Sequence, residues 1–261
     1  MRPVDEITPA QWRSLAGVAT DLDDTLTHRG ALHAEALRAL HALSDAGVPC
    51  VVATGRPSGW GPALLRLLPV RAVVTENGGA VSWREGARVE TAFTLDDASL
   101  AEGMARVSDT VLALRHAWPE LGPVVERCDR VTDVVLDVGE SRSVDRAVVE
   151  AALSRARRDG LYAVASTVHL HVSARPPDKG EGLRLALKSL GIPPESLCRA
   201  WVYVGDSPND AGGFRAAAVS VGVRDVERFA HEMDPPPQWV TRGGAGEGFA
   251  EVARAMIEAR R

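Results

Sequence analysis

The first third of the chain alternates short apolar runs with amphipathic stretches. Residues 17–20 (GVAT) run into the acidic DLDDT at 21–25, the pattern of a buried strand that opens at its carboxyl end. Residues 33–46 then place Ala34, Leu37, Leu40, Ala42 and Leu43 near helical spacing, with Gly47 as a stop, and 48–53 forms a second apolar run. A helix near 59–68 and a third run at 72–75 repeat this rhythm, which predicts a βαβαβ unit on a parallel sheet. From 82 to 175 the order becomes helix, strand, strand, twice over: helices near 96–117 and 143–158, extended segments at 124–127, 131–138, 161–165 and 168–173. Closely spaced strand pairs imply an antiparallel sheet, and so a second domain inserted in the first. After Pro176-Pro177 the opening rhythm returns, with helices near 180–190, 208–217 and 246–259 and strands at 201–205 and 219–223. The expected fold class is α/β.

Composition narrows what such a chain can do. Its 261 residues are 45% hydrophobic and 25% charged, an ordinary globular balance that needs no disulfide framework. Thirty basic against 35 acidic residues give a net charge of −5, so nucleic acid is not an expected partner. Cys50, Cys128 and Cys198 form no CxxC and are read as small apolar filler. No apolar run approaches the roughly 20 residues a membrane span needs. The opening MRPVDEITPAQWRSL lacks a signal-peptide profile, so a cytoplasmic protein with no membrane partner, monomer or homodimer, is expected.

Candidate chemistry gathers where apolar runs end. Asp21 and Asp23 stand two apart, and a continuing strand would project both carboxylates to one side of the sheet's carboxyl edge, where open parallel sheets bind ligands. Two like charges about 4 Å apart repel by about 4 kcal/mol near a protein surface, so the pair needs a cation, a shared proton or exposure. A solvated acidic turn capped by Asp24 and Thr25 is the other reading. Thr54-Gly55-Arg56-Pro57 follows the second run with a hydroxyl, backbone N–H groups and a guanidinium, groups suited to a phosphate or equally to a plain strand-to-helix turn. Gly205-Asp206-Ser207-Pro208-Asn209-Asp210 follows a third run and brings further carboxylates, oxygen ligands for Mg²⁺ or a helix start capped by Ser207 or Asn209. Lys179 marks the return from the insert, where a compact cation could neutralise carboxylate and phosphate charge.

DLDDTLT, ATGRP, DKGEGL and GDSPND, in that order, resemble the four motifs of the haloacid dehalogenase-like phosphohydrolases, and TENGG at 75–79 adds a further match. The insert between the second and third motifs resembles the subclass with a large α/β cap, which includes sucrose-phosphate, trehalose-phosphate and mannosyl-3-phosphoglycerate phosphatases. The resemblance implies a Rossmann-like parallel-sheet core at 1–81 and 176–261 with a cap at 82–175 that sets substrate specificity. It implies Asp21 as nucleophile, forming an aspartyl-phosphate, and Asp23 as acid and then base. Mg²⁺ would rest on Asp21, the Asp23 carbonyl and Asp206, with Asp210 behind them. Thr54, Gly55, Arg56, Lys179 and Asn209 would bind the phosphoryl group. The expected activity is Mg²⁺-dependent hydrolysis of a small phosphomonoester, a sugar phosphate first. A phosphomutase or other phosphotransferase would use the same nucleophile, and a phospho-Asp signalling module is the remaining alternative. Many relatives carry glycine where this chain has Asp24, whose carboxylate is expected to point away from the metal.

Other features are assigned elsewhere. His169 and His171 alternate on one strand face and are read as a polar sheet face, with substrate contact as the alternative. His28 and Arg29 are read as surface. Arg127, Asp129, Arg130 and Asp133 cluster at an expected hairpin, as a solvated turn or as readers of a polar substrate. Gly243–Gly248 does not match GxGxxG and is read as a loop. Trp60, following TGRP, is read as helix packing near the site.

Overall fold

The computed structural model describes residues 1–125 and 128–261. Arg127 and the end of the extended segment expected at 124–127 lie outside them. The chain divides into unit 1, Met1–Arg56, Trp60–Thr94 and Asp178–Arg261, and unit 2, Pro57–Gly59 and Leu95–Pro177.

Along the chain, unit 1 opens with β1 (Arg2–Pro3), α1 (Pro9–Ser14), β2 (Gly17–Thr20), a small hairpin of β3 (Thr27–His28) and β4 (Ala31–Leu32), and α2 (Ala34–Asp45). It continues with β5 (Cys50–Ala53), α3 (Trp60–Leu67), β6 (Ala72–Thr75), β7 (Ala80–Glu85) and β8 (Arg88–Phe93). Unit 2 supplies α4 (Asp97–Ala117), β9 (Gly122–Pro123), β10 (Asp133–Asp137), α5 (Arg146–Arg158), β11 (Tyr162–Ala165) and β12 (His169–Ser173). Unit 1 resumes with α6 (Lys179–Ser189), α7 (Leu197–Ala200), β13 (Trp201–Gly205), α8 (Ala211–Ala216), β14 (Val219–Gly222), β15 (Trp239–Val240) and α9 (Ala245–Glu258).

The large sheet of unit 1 runs β1-β15-β14-β13-β2-β5-β6-β7-β8. It is parallel from β1 to β6 and antiparallel across β6–β7 and β7–β8. Alternation along the central strands sorts side chains between two packed faces. Val18, Cys50, Val52, Val202 and Val204 join the core cluster that includes α2 and α9 residues. Ala19, Val51, Ala53, Trp201 and Tyr203 join Leu183, Leu187 and Phe214 of α6 and α8. Burial on both sides explains the continuous apolar runs, which a parallel sheet covered by helices requires.

Residues 82–93, expected within the insert, instead pair with the core strands as parts of β7 and β8, because Val81 and Ala80 continue the register of β6. The helix expected at 208–217 is broken into a 3₁₀ turn, Pro208–Asp210, and the short α8, because Asp210 turns its carboxylate back onto the amides of Asp206 and Ser207. Unit 2 is a four-stranded antiparallel sheet, β11-β12-β10-β9, whose Leu136, Ala163, Leu170 and Val172 pack on α4 and α5 residues. Cys50 is buried in the core as apolar filler, whereas Cys128 is half-buried and Cys198 exposed and depart from that reading. Among the described residues no helix is long and apolar enough to cross a membrane.

Candidate active site

Three parallel strands, β2, β5 and β13, stand side by side in unit 1 and deliver their successors to one edge of the sheet. Asp21 follows β2 and donates its backbone N–H to the carbonyl of Val204 at 2.8 Å, which holds it in line with β13. Thr54 follows β5, and Asp206 follows β13. The first residue of α6 is Lys179, whose ammonium donates to Asp21 Oδ1 at 2.6 Å and to Asp210 Oδ1 at 2.7 Å. All four of these side chains, Asp21, Lys179, Asp206 and Asp210, are buried. Asp178 caps α6 by accepting from the Gly180 amide at 2.7 Å, which fixes where the helix begins and where Lys179 points.

Each carboxylate has its own surroundings. Asp21, Asp206 and Asp210 each place an oxygen within 4.8 Å of the others. Burial pushes the Asp21 carboxyl up to about 7, against the pull of Lys179 and with the push of Asp210. Burial and then the charge of Asp21 push Asp206 up to about 9; its hydroxyl partner, Thr25 Oγ1, donates at 3.1 Å and carries no charge. Burial opposes the charge on Lys179, but Asp21 and Asp210 outweigh it and hold its pKa above the ordinary value. Asp210 is saturated: Oδ1 accepts from Lys179 and from Tyr203 Oη at 2.6 Å, and Oδ2 accepts from the amides of Asp206 and Ser207 at 2.9 and 3.1 Å.

This donor set fits Mg²⁺. Three clustered carboxylates against one ammonium leave an excess of two negative charges when all are ionised (three minus one). Hard carboxylate oxygens are the ligands Mg²⁺ prefers. With the oxygens of Asp210 engaged, Asp21 and Asp206 are the side chains left to hold the ion.

Asp23 turns to different partners. Thr54 Oγ1 donates to its Oδ2 at 3.4 Å, and the Arg56 guanidinium forks onto both oxygens, Nε at 3.2 and 3.0 Å and Nη2 at 2.7 Å from Oδ1. Sequence reasoning put Arg56 on phosphate; here its charge faces Asp23, because β2 and β5 are adjacent and both chains turn at the same edge. Trp60 packs against the core as its helix-packing reading expects, and its ring also lies under that guanidinium, 4.1 Å from Cζ to the centroid. Gly55 lies at the same edge, and Asn209 is exposed on the 3₁₀ turn. Asp24 is exposed and adopts φ 55°, a left-handed conformation in which glycine is at ease and aspartate is tolerated.

The structure brings together Asp21, Lys179, Asp206 and Asp210 in one cluster, and Asp23, Thr54 and Arg56 in another at the same edge. His28 and Arg29 are exposed on the β3–β4 hairpin. In unit 2, His169 Nε2 pairs with Glu140 and His171 Nδ1 with Asp133, each at 3.1 Å, and Arg130 pairs with Asp133 at 2.5 Å. The carbonyl of Asp129 accepts from Ser58 Oγ and from the Gly59 amide. Sequence reasoning missed Tyr203, whose apolar neighbours hid it, and the partnership of Thr25 with Asp206. Lys179 is one of only two lysines among the 30 basic residues, the other being Lys188.

Residues 18–104 match the family of haloacid dehalogenase-like hydrolases. Over 249 residues the chain is 31% identical to a phosphoglycolate phosphatase of Methanothermobacter thermautotrophicus, covering 93% of this chain and 99% of that protein. A phosphoglycolate phosphatase of Pyrobaculum neutrophilum is 32% identical over 244 residues, 92% of this chain and 95% of that protein. Among solved structures, the sucrose-phosphatase of Synechocystis, in complex with sucrose and phosphate, matches at a TM-score of 0.66 with 17% identity, over 94% of this chain and 98% of that one, a likeness of fold. Relatives above 30% identity that span nearly all of both sequences, with the matched segment carrying Asp21, Asp23 and Thr54, make this chain a member of the haloacid dehalogenase-like hydrolase family.

Proposed function

We propose that the protein is a Mg²⁺-dependent phosphatase that hydrolyses a small phosphomonoester through an aspartyl-phosphate on Asp21. The observation that carries this reading is the buried Asp21 carboxylate, held by Lys179 at 2.6 Å beside Asp206 at the carboxyl edge of a parallel sheet. A carboxylate so placed has one oxygen fixed by the ammonium and the other available for attack.

In the first displacement an Asp21 oxygen forms a bond to phosphorus as the bond from phosphorus to the leaving oxygen breaks, and Asp23, in its acid form, gives that oxygen its proton. In the second, water attacks phosphorus, Asp23 takes the water's proton, and the bond to Asp21 breaks to release phosphate. Lys179 offsets charge on Asp21 and the phosphoryl oxygens, and Thr54, the Gly55 backbone and Asn209 orient the phosphoryl group. Mg²⁺ held by Asp21, Asp206 and the Asp23 carbonyl would supply further neutralisation of that charge.

For the leaving group, relatives at 31% and 32% identity named phosphoglycolate phosphatases favour 2-phosphoglycolate as the first substrate to test. Sugar phosphates form the second arm. The experiment is inorganic phosphate release from both, with and without Mg²⁺, for the native protein and Asp21→Asn. Release that needs Mg²⁺ and Asp21 is the expected result. No release from any member of a broad panel by folded protein overturns the reading, and transfer to an added sugar without free phosphate replaces it with phosphotransfer.

A further inference from the structure

Tyr203 lies in the middle of β13 among Trp201, Val202 and Val204, and its side chain is fully buried. A phenol in such a place needs a partner for its hydroxyl. It has one: Oη donates to Asp210 Oδ1 at 2.6 Å, a charge-assisted bond at the short end of the O–H···O⁻ range. Burial, then the charge of Asp210, pushes the phenol well above its ordinary pKa, so it stays a donor. The ring is placed by its packing. Phe214 meets it edge-on at 5.5 Å, and Gly213 leaves it room, since a Cβ there would stand 2.5 Å from the ring carbon that bears the hydroxyl.

The oxygen that accepts from Tyr203 is the one that accepts from Lys179. Lys179 is thus shared between Asp210 Oδ1 at 2.7 Å and Asp21 Oδ1 at 2.6 Å. A second donor on Asp210 Oδ1 reduces the charge that oxygen offers the ammonium, and it fixes where the oxygen stands. We propose that Tyr203 is a positioning residue that holds Asp210 and, through it, sets Lys179 against Asp21. The catalytic consequence rests on the phosphatase reading above; the arrangement of Lys179 does not.

The composition makes this testable, because the chain has two lysines, Lys179 and Lys188, and two tyrosines, Tyr162 and Tyr203. Protein labelled at lysine Cε and Nζ shows two side-chain signals by NMR, with Lys188 as an internal control. Tyr203→Phe is expected to shift the Lys179 signal and leave Lys188 in place. Asp210→Asn is expected to shift it as well, and adding Tyr203→Phe to Asp210→Asn is expected to move it no further. In the phosphatase assay Tyr203→Phe is expected to lower kcat about tenfold, the scale of one hydrogen bond to a charged group, with KM changed less than about threefold. The same substitution in the Asp210→Asn background is expected to cost little more.

An unmoved Lys179 signal in Tyr203→Phe overturns the proposal, as does a loss of kcat that multiplies fully with that of Asp210→Asn. The NMR arm needs no turnover. If the native protein releases no phosphate, the functional reading fails while the Tyr203 proposal is still decided by the lysine signals. If Tyr203→Phe does not fold, the native protein labelled at tyrosine decides: a downfield hydroxyl proton, assigned to Tyr203 with Tyr162→Phe, must be present and must shift in Asp210→Asn.

Discussion

Arg56 grips Asp23 with the edge of its planar fork, Nε and Nη2 each within 3.2 Å of a carboxylate oxygen, while its Cζ lies over the Trp60 ring at 4.1 Å from the centroid. A guanidinium stacked on an indole has few orientations left, so the carboxylate it holds is aimed as well. Arg56→Ala is expected to lower phosphate release about tenfold to a hundredfold through misplacement of the proton carrier. Arg56→Lys is expected to restore only part of that, since an ammonium keeps the charge but loses the fork. Initial rates for the three proteins at saturating substrate check this; full activity in Arg56→Lys would show that charge alone suffices.

Asp21 and Asp206 bear on stability as well as chemistry. Burial holds them at about 7 and about 9, above the ordinary 3.8. A carboxyl whose folded pKa is raised contributes stability that is complete below the unfolded value and lost as pH rises through the folded one. Metal-free protein is therefore expected to melt at falling temperatures between about pH 5 and pH 9, and Asp206→Asn to flatten that fall. Excess Mg²⁺ is expected to raise the melting temperature most at the alkaline end, where fewest protons must leave for the ion to bind. Thermal unfolding in chelator and in Mg²⁺ at three pH values tests the pair; parallel curves for native and Asp206→Asn would remove the cause assigned here.

Much of this site is written locally in the sequence. Asp21, Thr54 and Asp206 each end an apolar run, and a parallel sheet sends such ends to one edge, so their meeting follows from pattern. Lys179 at the start of α6 was legible from the motif around it. Pairings across long separations were not. Arg56 on Asp23 spans 33 residues and Thr25 on Asp206 spans 181, and neither has a periodicity that marks it. Tyr203 reads as one more apolar strand residue, because the feature that distinguishes it, the hydroxyl, finds its partner only when the 3₁₀ turn folds Asp210 back under β13. The edge at 82–93 was lost for another reason: charged residues interrupt the apolar pattern of AVSWRE and RVETAF, so no strand is read there, and their place on the large sheet is set by the register of β6.

Asp137, at the end of β10, anchors a turn that periodicity does not mark. Its carboxylate accepts from the amides of Gly139, Glu140 and Ser141 at 3.1, 2.7 and 3.0 Å and from the Ser141 hydroxyl. Burial opposes the charge, but these donors outweigh it and hold the carboxyl at about 2. Its stabilising effect is therefore present above the ordinary value of 3.8 and lost only as pH falls through about 2. Asp137→Asn, with one acceptor oxygen where the native side chain has two, is expected to destabilise unit 2 by about 1–3 kcal/mol. Faster amide exchange at Gly139, Glu140 and Ser141, with the strands of unit 1 unchanged, is the expected pattern; equal exchange in both proteins would rule the anchor out.

Gly78, just past β6, lets the backbone pass close to the start of α6. It adopts φ +113°, a conformation L side chains rarely take, and a Cβ there would stand 2.0 Å from the carbonyl oxygen of Asp178. That carbonyl belongs to the residue that caps α6, one position before Lys179. No rotamer change relieves such a clash, since both partners are main chain, so either Gly78 or the first turn of α6 must move. Gly78→Ala is expected to cost about 2–4 kcal/mol, combining left-handed strain with overpacking. A shift of that turn also draws Lys179 away from Asp21. Activity is therefore expected to fall further than the loss of folded protein accounts for, measured as phosphate release per folded molecule at a temperature below the variant's transition. A variant that melts early yet turns over normally once folded would mean that the strain is absorbed at Gly78 and that the Lys179 end of α6 stays where it is.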